Sequence, residues 1–339
     1  MESNLQVKNL EELYSIFTNR FNKEVKPYIE EIFPRNKHTE PVYYILDNFI
    51  LRRFRSGLPL VMAELLNVEK EYIMPIAAAS ELMFAIALVQ DDFFDNSEVR
   101  GNIPSAHIKY GSRVAMASCD YSYCYVLKIL QEIEKFDIPK PLAKKIYLSF
   151  LEIQEKVFTS FLVELLNNKS LDFSQDDVLE LHRNKTIHGV NTIYCASLIF
   201  DNMLHSSFSE NLKEYSIQLA IAGQIKNDIY DLTRYAESRG YTDILNGYLT
   251  YPLAILIKNL NSEERVKLVK FFSEESIKEI VQLMNQKQII EKCVVDGIKH
   301  AQMGIDLIPK EFNNTLTNIM KLWAEGNKVN KDSAFLTQK

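Results

Sequence analysis

The chain has 339 residues, 47% hydrophobic and 25% charged, with a formal net charge of −6. That is ample for a sizeable core, and Gly and Pro together supply only about 6% of the residues, about half the usual share. Fibrous and disordered classes are excluded, all-β architectures lack the turn residues they need, and an acidic balance without a basic block argues against nucleic-acid binding.

Apolar residues recur at helical spacing along nearly the whole chain. Leu10, Leu13, Ile16 and Phe17 mark a first helix, and Ile45, Phe49 and Ile50 a second within Pro41 to Leu51. Further helices are expected over Leu58 to Leu66, Ile73 to Phe94, Pro104 to Phe136, Pro139 to Leu166, Asp176 to Phe200 and Phe208 to Tyr235. The last fall over Tyr251 to Lys258, Ser262 to Asn285 and Gln288 to Trp323. Alternating strand patterns are absent, so the expected fold is an all-α bundle. The breaks, Arg35 to His38, Asn96 to Ile103, Asn167 to Gln175 and Ser238 to Tyr248, are too short for domain linkers. The expectation is therefore one domain over 1–324, with a frayed polar tail at 325–339. The most apolar run, Pro75 to Val89, is interrupted by Ser80 and Glu81 and falls short of the roughly 20 residues of a membrane span. It reads as a buried helix, and no transmembrane segment is expected. Cys119, Cys124, Cys195 and Cys293 form no zinc spacing and read as reduced core thiols of a cytoplasmic protein without a secretory signal.

Two carboxylate clusters carry the chemistry. In Leu88-Val-Gln-Asp-Asp-Phe-Phe-Asp95, Asp91 and Asp95 are four apart and share a helix face, with Asp92 beside them. Three acids ending an apolar helix repel one another unless water or a cation screens them. In Gln224-Ile-Lys-Asn-Asp-Ile-Tyr-Asp231, Gln224, Asn227 and Asp231 share a face, with Asp228 adjacent. Oxygen donors on two helices suit Mg²⁺, which takes one or two carboxylates together with water and phosphate oxygens. Such ions stabilise a diphosphate leaving group. Arg100, Lys185 and the group Arg52, Arg53 and Arg55 supply cations at separate points. His182, His188, His205 and His300 lack ligand spacing and read as structural or exposed.

In order and spacing these motifs resemble those of the trans-isoprenyl diphosphate synthases, the head-to-tail prenyltransferases of the class I isoprenoid synthase fold. The resemblance runs from about Leu51 to Pro252. Arg52-Arg-Phe-Arg55 stands in place of the family's GKRxRP, and Glu81 lies ten residues before Asp91. Asp91 to Asp95 matches the first aspartate-rich motif and Arg100 the arginine after it; Pro104, His107, Tyr110-Gly111 and Asp120 continue the match. Lys185-Thr186 resembles the KT pair. Gln224 to Asp231 resembles FQxxDDxxD with Asn227 for the first Asp, and Asp243 to Pro252 the segment ending in TYP.

The resemblance implies a helical bundle around a deep apolar cavity. About three Mg²⁺ ions would be held by Asp91, Asp92, Asp95, Asn227, Asp228 and Asp231. An allylic prenyl diphosphate would bind there, and the metals with Arg100 and Lys185 would draw off pyrophosphate; Arg52, Arg55, Thr186, Gln224 and Phe84 would line the substrate sites. A homodimer is the family expectation. The family's second, metal-free pocket holds isopentenyl diphosphate, and here it departs from type. Its His is Phe84, its second Arg is Gly101, and Tyr248 follows Gly247 where a Lys is usual. Losing two charge-assisted bonds of about 1.5–3 kcal/mol each weakens such binding by about two to four decades. The reading this favours is a terpene synthase on a prenyltransferase scaffold, whose cation is trapped by its own double bonds, by water or by proton loss. Phe84 would offer that cation a π-face. The NDxxSxxxE motif of other cyclases is not met, because Asp231 and Tyr235 stand at its Ser and Glu places. The alternatives are a chain-elongating prenyltransferase with a remodelled acceptor pocket, supported by Arg52 and Arg55, and a non-catalytic regulatory subunit. Ile86 and Ala87, where an aromatic residue would shorten the cavity, point to chains of C20 or longer.

Overall fold

The computed structural model describes residues 6–48, 52–166, 171–233, 242–245 and 247–329. Phe49, Ile50 and Leu51 of the second expected helix, Tyr235 and residues 330–339 of the expected tail lie outside them, as do parts of the breaks at 167–175 and 238–248. The chain is all-α. Helix α1 (Leu10–Arg20) passes through a π-helical turn into α2 (Lys26–Ile32), followed by α3 (Glu40–Asn48), α4 (Phe54–Leu65) and α5 (Met74–Phe94). Strands β1 (Val99–Arg100) and β2 (Ile103–Pro104) make a small antiparallel ladder with Arg100 opposite Ile103. Then come α6 (Ala106–Tyr110), α7 (Ser112–Gln131), α8 (Lys140–Leu166), α9 (Gln175–Lys185), α10 (Ile187–Leu204), α11 (Ser209–Thr233) and α12 (Thr242–Leu245). The last are α13 (Tyr251–Lys258), α14 (Ser262–Ser273), α15 (Ile277–Gln286), α16 (Ile289–Asp306) and α17 (Asn314–Asn327).

Several long sequence periods divide where local geometry breaks them. Pro104 to Phe136 is cut at Gly111, whose φ of 85° suits a residue without Cβ. Asp176 to Phe200 is cut at Thr186, whose hydroxyl donates to the His182 carbonyl at 2.6 Å as α9 ends. Glu275, at φ 53°, separates α14 from α15. The span Gln288 to Trp323 is interrupted between α16 and α17, where Pro309 stands. The break after Asp95 holds the β1–β2 ladder, a hairpin the alternation rule does not detect in strands of two residues. Helix α17 runs to Asn327, past residue 324, and Val329 is buried.

Contacts gather into two compact units. The first comprises Met1–Val157, Ile187–Ser216 and Ile308–Leu322. Its centre is α5, which starts with Pro75 in its first turn and is buried nearly all round by α3, α4, α7 and α10. A helix without a polar face has to be central, because each apolar side chain withdrawn from water contributes about 1.5–3 kcal/mol. By length and composition α5 alone would pass for a membrane span, yet 83% of its most apolar window is buried within the fold. Its two interior carboxylates are each paired with an arginine: Arg53 Nη1 donates to Glu81 at 3.0 Å, and Arg100 Nε to Asp92 at 2.7 Å. The second unit comprises Phe158–Thr186, Ile217–Leu307 and Trp323–Lys339. There α13 is buried and packs on α9 and α16, with Leu181, Ile225, Ile229, Leu256, Ile290 and Val294 in the shared core. Capping boxes at Ser174–Asp177 and Asn261–Glu264 start α9 and α14, satisfying backbone N–H groups that a helix leaves open.

Candidate active site

In the first unit, the C-terminal end of α5 carries Asp91, Asp92 and Asp95. Asp91 and Asp95 are partly exposed on one face, whereas Asp92 is buried. The β1–β2 ladder brings Arg100 back over them: its Nε donates to Asp92 Oδ2 at 2.7 Å and its Nη2 to Asp91 Oδ2 at 2.9 Å. Burial opposes the Arg100 charge, but the two carboxylates outweigh it and hold the guanidinium above its ordinary pKa. The fork thus fixes two of the three acids, and its geometry follows from the short hairpin that reverses the chain at Gly101.

The basic segment ahead of α4 splits into three roles. Arg52 is exposed and lies over the Tyr14 ring, 5.2 Å from its centroid. Arg53 is buried at φ 48°, donates to Glu81 and to the Leu46 carbonyl, and stacks on Phe21. Arg55 lies on the face of Phe84, its guanidinium carbon 3.2 Å from the ring centroid. Burial lowers the Arg55 pKa to about 9, against the opposing pull of Glu81, so the group stays charged at neutral pH. Phe84, read from sequence as a cation-facing aromatic, faces a cation of the protein itself. His107 is buried on α6, edge-on to Phe93.

In the second unit, Lys185 at the end of α9 is ion-paired with the buried Glu164 and lies 5.8 Å from the Tyr248 ring centroid. Thr186 caps the same helix end. On α11, Asn227 is exposed and its amide donates to Gln224 Oε1 at 3.1 Å. Asp228 is turned inward: its Oδ2 accepts from the Tyr251 backbone N–H at 2.7 Å and lies 3.1 Å from His182 Nε2. Tyr251 is itself held by Asp296 and Gln175 through its hydroxyl. Asp231 Oδ2 accepts from the Asp243 N–H at 3.3 Å. Glu164, His182 and Tyr251 escape sequence reasoning because each lies far along the chain from the acid or lysine it holds. His182, read as structural or exposed, sits directly against Asp228.

Among the described residues no group of three His, Cys, Asp or Glu side chains stands at metal-holding spacing. The donor set nevertheless fits Mg²⁺. Asp91 and Asp95 offer hard oxygens on one partly exposed helix face, and this ion keeps several waters while taking one or two carboxylates.

Comparison with known proteins agrees with the fold. The polyprenyl synthetase family model matches residues 38–286, which include both acidic clusters. A prenyl transferase of Cyanophora paradoxa is 26% identical over 76% of this chain and 79% of its own. A geranylgeranyl diphosphate synthase of Saccharolobus solfataricus is 22% identical over 96% and 95%. The crystal structure of geranylgeranyl pyrophosphate synthetase from Pyrococcus horikoshii superposes with a TM-score of 0.82 at 18% identity, covering 94% of this chain and 98% of that one. These relatives are named for prenyl transfer or diphosphate synthesis, so the intramolecular cyclisation favoured on sequence grounds gains no support, and the chain-elongating alternative is the better fit. With Phe84 and Gly101 standing where the family pattern has charged side chains, the chain nevertheless belongs to the polyprenyl synthetase family of trans-isoprenyl diphosphate synthases.

Proposed function

We propose that this protein is a chain-elongating prenyltransferase that joins an allylic prenyl diphosphate to isopentenyl diphosphate with release of pyrophosphate. The observation that carries the reading is the family match over residues 38–286. It enters as an isoprenoid synthase acting on allylic diphosphates, and the Arg100 fork on Asp91 and Asp92 is consistent with that role. The ion proposed for Asp91, Asp92 and Asp95, and for Asn227, Asp228 and Asp231, is Mg²⁺. When bound, it supplies electrostatic stabilisation to the departing diphosphate.

The chain's own residues prepare that step. Arg100 orients two carboxylates that would otherwise repel each other, and the buried Asp92 anchors the fork. Lys185 is held in place by Glu164 and is proposed to contact the diphosphate when substrate competes for it. Arg55 keeps a positive charge for the acceptor even though Phe84 and Gly101 replace two family contacts. Ile86 and Ala87, both buried and neither aromatic, favour products of C20 or longer.

The test is a product assay with purified protein, Mg²⁺ and C10, C15 or C20 allylic diphosphate, each with and without isopentenyl diphosphate. Longer diphosphates that appear only when isopentenyl diphosphate is added are the expected result. Hydrocarbon or alcohol from the allylic substrate alone would overturn it in favour of terpene synthesis. Inactivity in every combination would favour a non-catalytic subunit.

A further inference from the structure

Four polar atoms of the first unit are buried without a hydrogen-bond partner where α4, α5 and α10 pack together: Nε of Arg55, both ring nitrogens of His188 and Nδ2 of Asn191. They belong to one neighbourhood. The Arg55 guanidinium covers the Phe84 ring at 3.2 Å, and the His188 ring meets the same Phe84 edge-on with centroids 6.2 Å apart. Asn191 follows His188 by three residues on the same face of α10. Its Oδ1 is already engaged by the Cys195 thiol at 3.5 Å, which leaves its NH₂ as a donor. Burial, with Arg55 adding to it, pushes His188 down to about 3, so the imidazole is neutral at pH 7 and offers one N–H.

The charge count points the same way. Glu81 takes its direct bonds from Arg53 Nη1 at 3.0 Å and from the Ser56 hydroxyl at 2.8 Å, so its oxygens are spent on groups other than Arg55. Arg55 makes no ion pair with a carboxylate among the described residues. What remains is a cation that Glu81 reaches only through space, with no direct carboxylate partner, and several unpaired donors, a pattern folded proteins rarely keep without a reason. The cluster is not sealed: His188 and Asn191 are 3% and 5% exposed, but Phe54, Arg55 and Phe84 are only half-buried. One wall is set by Gly189, where a Cβ would come within 2.6 Å of Phe54 Cζ.

We propose that this cluster is an oxyanion site, in which Arg55, stacked on Phe84, supplies the cation while His188 and Asn191 of α10 bind the oxygens of a phosphate or diphosphate group. The donors come from α4 and α10, on two elements packed about Phe84, so a tetrahedral phosphate serves them better than the planar oxygens of a carboxylate. This rests on the proposed function, which supplies two anions of that chemistry: the diphosphate of the acceptor substrate and free pyrophosphate. His188 then does from α10 what a polar side chain at position 84 would do from α5.

The experiment is calorimetric titration of wild type, His188→Leu, His188→Gln and Asn191→Leu with isopentenyl diphosphate and with inorganic pyrophosphate, in EDTA so that the acidic clusters hold no metal. The expected result is metal-independent binding by wild type, weakened tenfold or more in His188→Leu and restored in part by His188→Gln, whose amide keeps a donor. His188→Leu also removes a buried unpaired imidazole and should raise Tm rather than lower it, and the KM for the allylic substrate should stay within about twofold. The imidazole ¹⁵N shift of wild-type His188 should move on adding pyrophosphate, which packing alone would not produce. Stronger binding of isopentenyl diphosphate than of pyrophosphate identifies the acceptor as the source, and the reverse identifies the product. Unchanged binding in both His188 variants, or no metal-independent binding by wild type, overturns the site. If wild type elongates chains while His188→Leu keeps its acceptor KM, only this inference falls. If wild type binds pyrophosphate through His188 but never elongates, the oxyanion site stands and the proposed reaction falls.

Discussion

Arg100 holds Asp91 and Asp92 with two different nitrogens, at 2.9 and 2.7 Å, from a hairpin that begins only four residues after the acids end. The pair with Asp92 is buried on both sides, while Asp91 remains a third exposed. The same arginine therefore has a structural bond and a functional one. Removing it strands a carboxylate in the interior, which costs about 3–5 kcal/mol for a buried ion pair. Arg100→Ala should lower stability by that order in denaturant unfolding and abolish pyrophosphate release. Arg100→Lys, which lacks the planar fork, should recover stability more than activity.

The three acids of the first cluster are expected to separate in the same way. Asp91→Ala and Asp95→Ala alter partly exposed side chains and should change unfolding free energy by no more than about 1 kcal/mol. Pyrophosphate release should fall by about 100-fold or more, the usual loss when a group stabilising a leaving anion is removed. Asp92→Asn should differ, with a clear fall in Tm, because its buried oxygen no longer carries the charge that Arg100 requires.

On α11 the roles divide between neighbours. Asn227 is exposed, so Asn227→Asp adds a carboxylate at the position where the family has one and should lower the Mg²⁺ concentration for half-maximal activity about fivefold. Asp228 instead receives the first backbone N–H of α13 at 2.7 Å. Asp228→Ala should therefore cost about 1–2 kcal/mol of stability, as loss of a helix cap does, measured by thermal unfolding.

Gly101 sits at φ 61° with no atom within 4 Å of where a Cβ would lie. An arginine is free of collision there but strained, by about 1–2 kcal/mol. Gly101→Arg should lower Tm by a few degrees and lower the acceptor KM by about tenfold, one charge-assisted contact being worth about that much. An unchanged acceptor KM would show that the position does not reach the acceptor.

Helix periodicity, the all-α class and both acidic clusters are legible in the sequence because they depend on residues within one or two turns of each other. Asp91 and Asp95 share a face by spacing alone, and α5 declares itself buried by lacking a polar side. Helix ends are less legible: Gly111, Thr186 and Glu275 break long periods through backbone geometry that hydrophobic pattern does not encode. The partners of the site residues are not legible at all. Glu164 reaches Lys185 across 21 residues, Tyr251 reaches Asp228 across 23, and His188 lies beside Phe84 although they are 104 positions apart. The sequence determined which groups carry charge and which helices must be central. Only the tertiary structure decided which charges are spent on one another and which, like Arg55, are left without a direct carboxylate partner, because pairing depends on distances set by packing between helices distant along the chain.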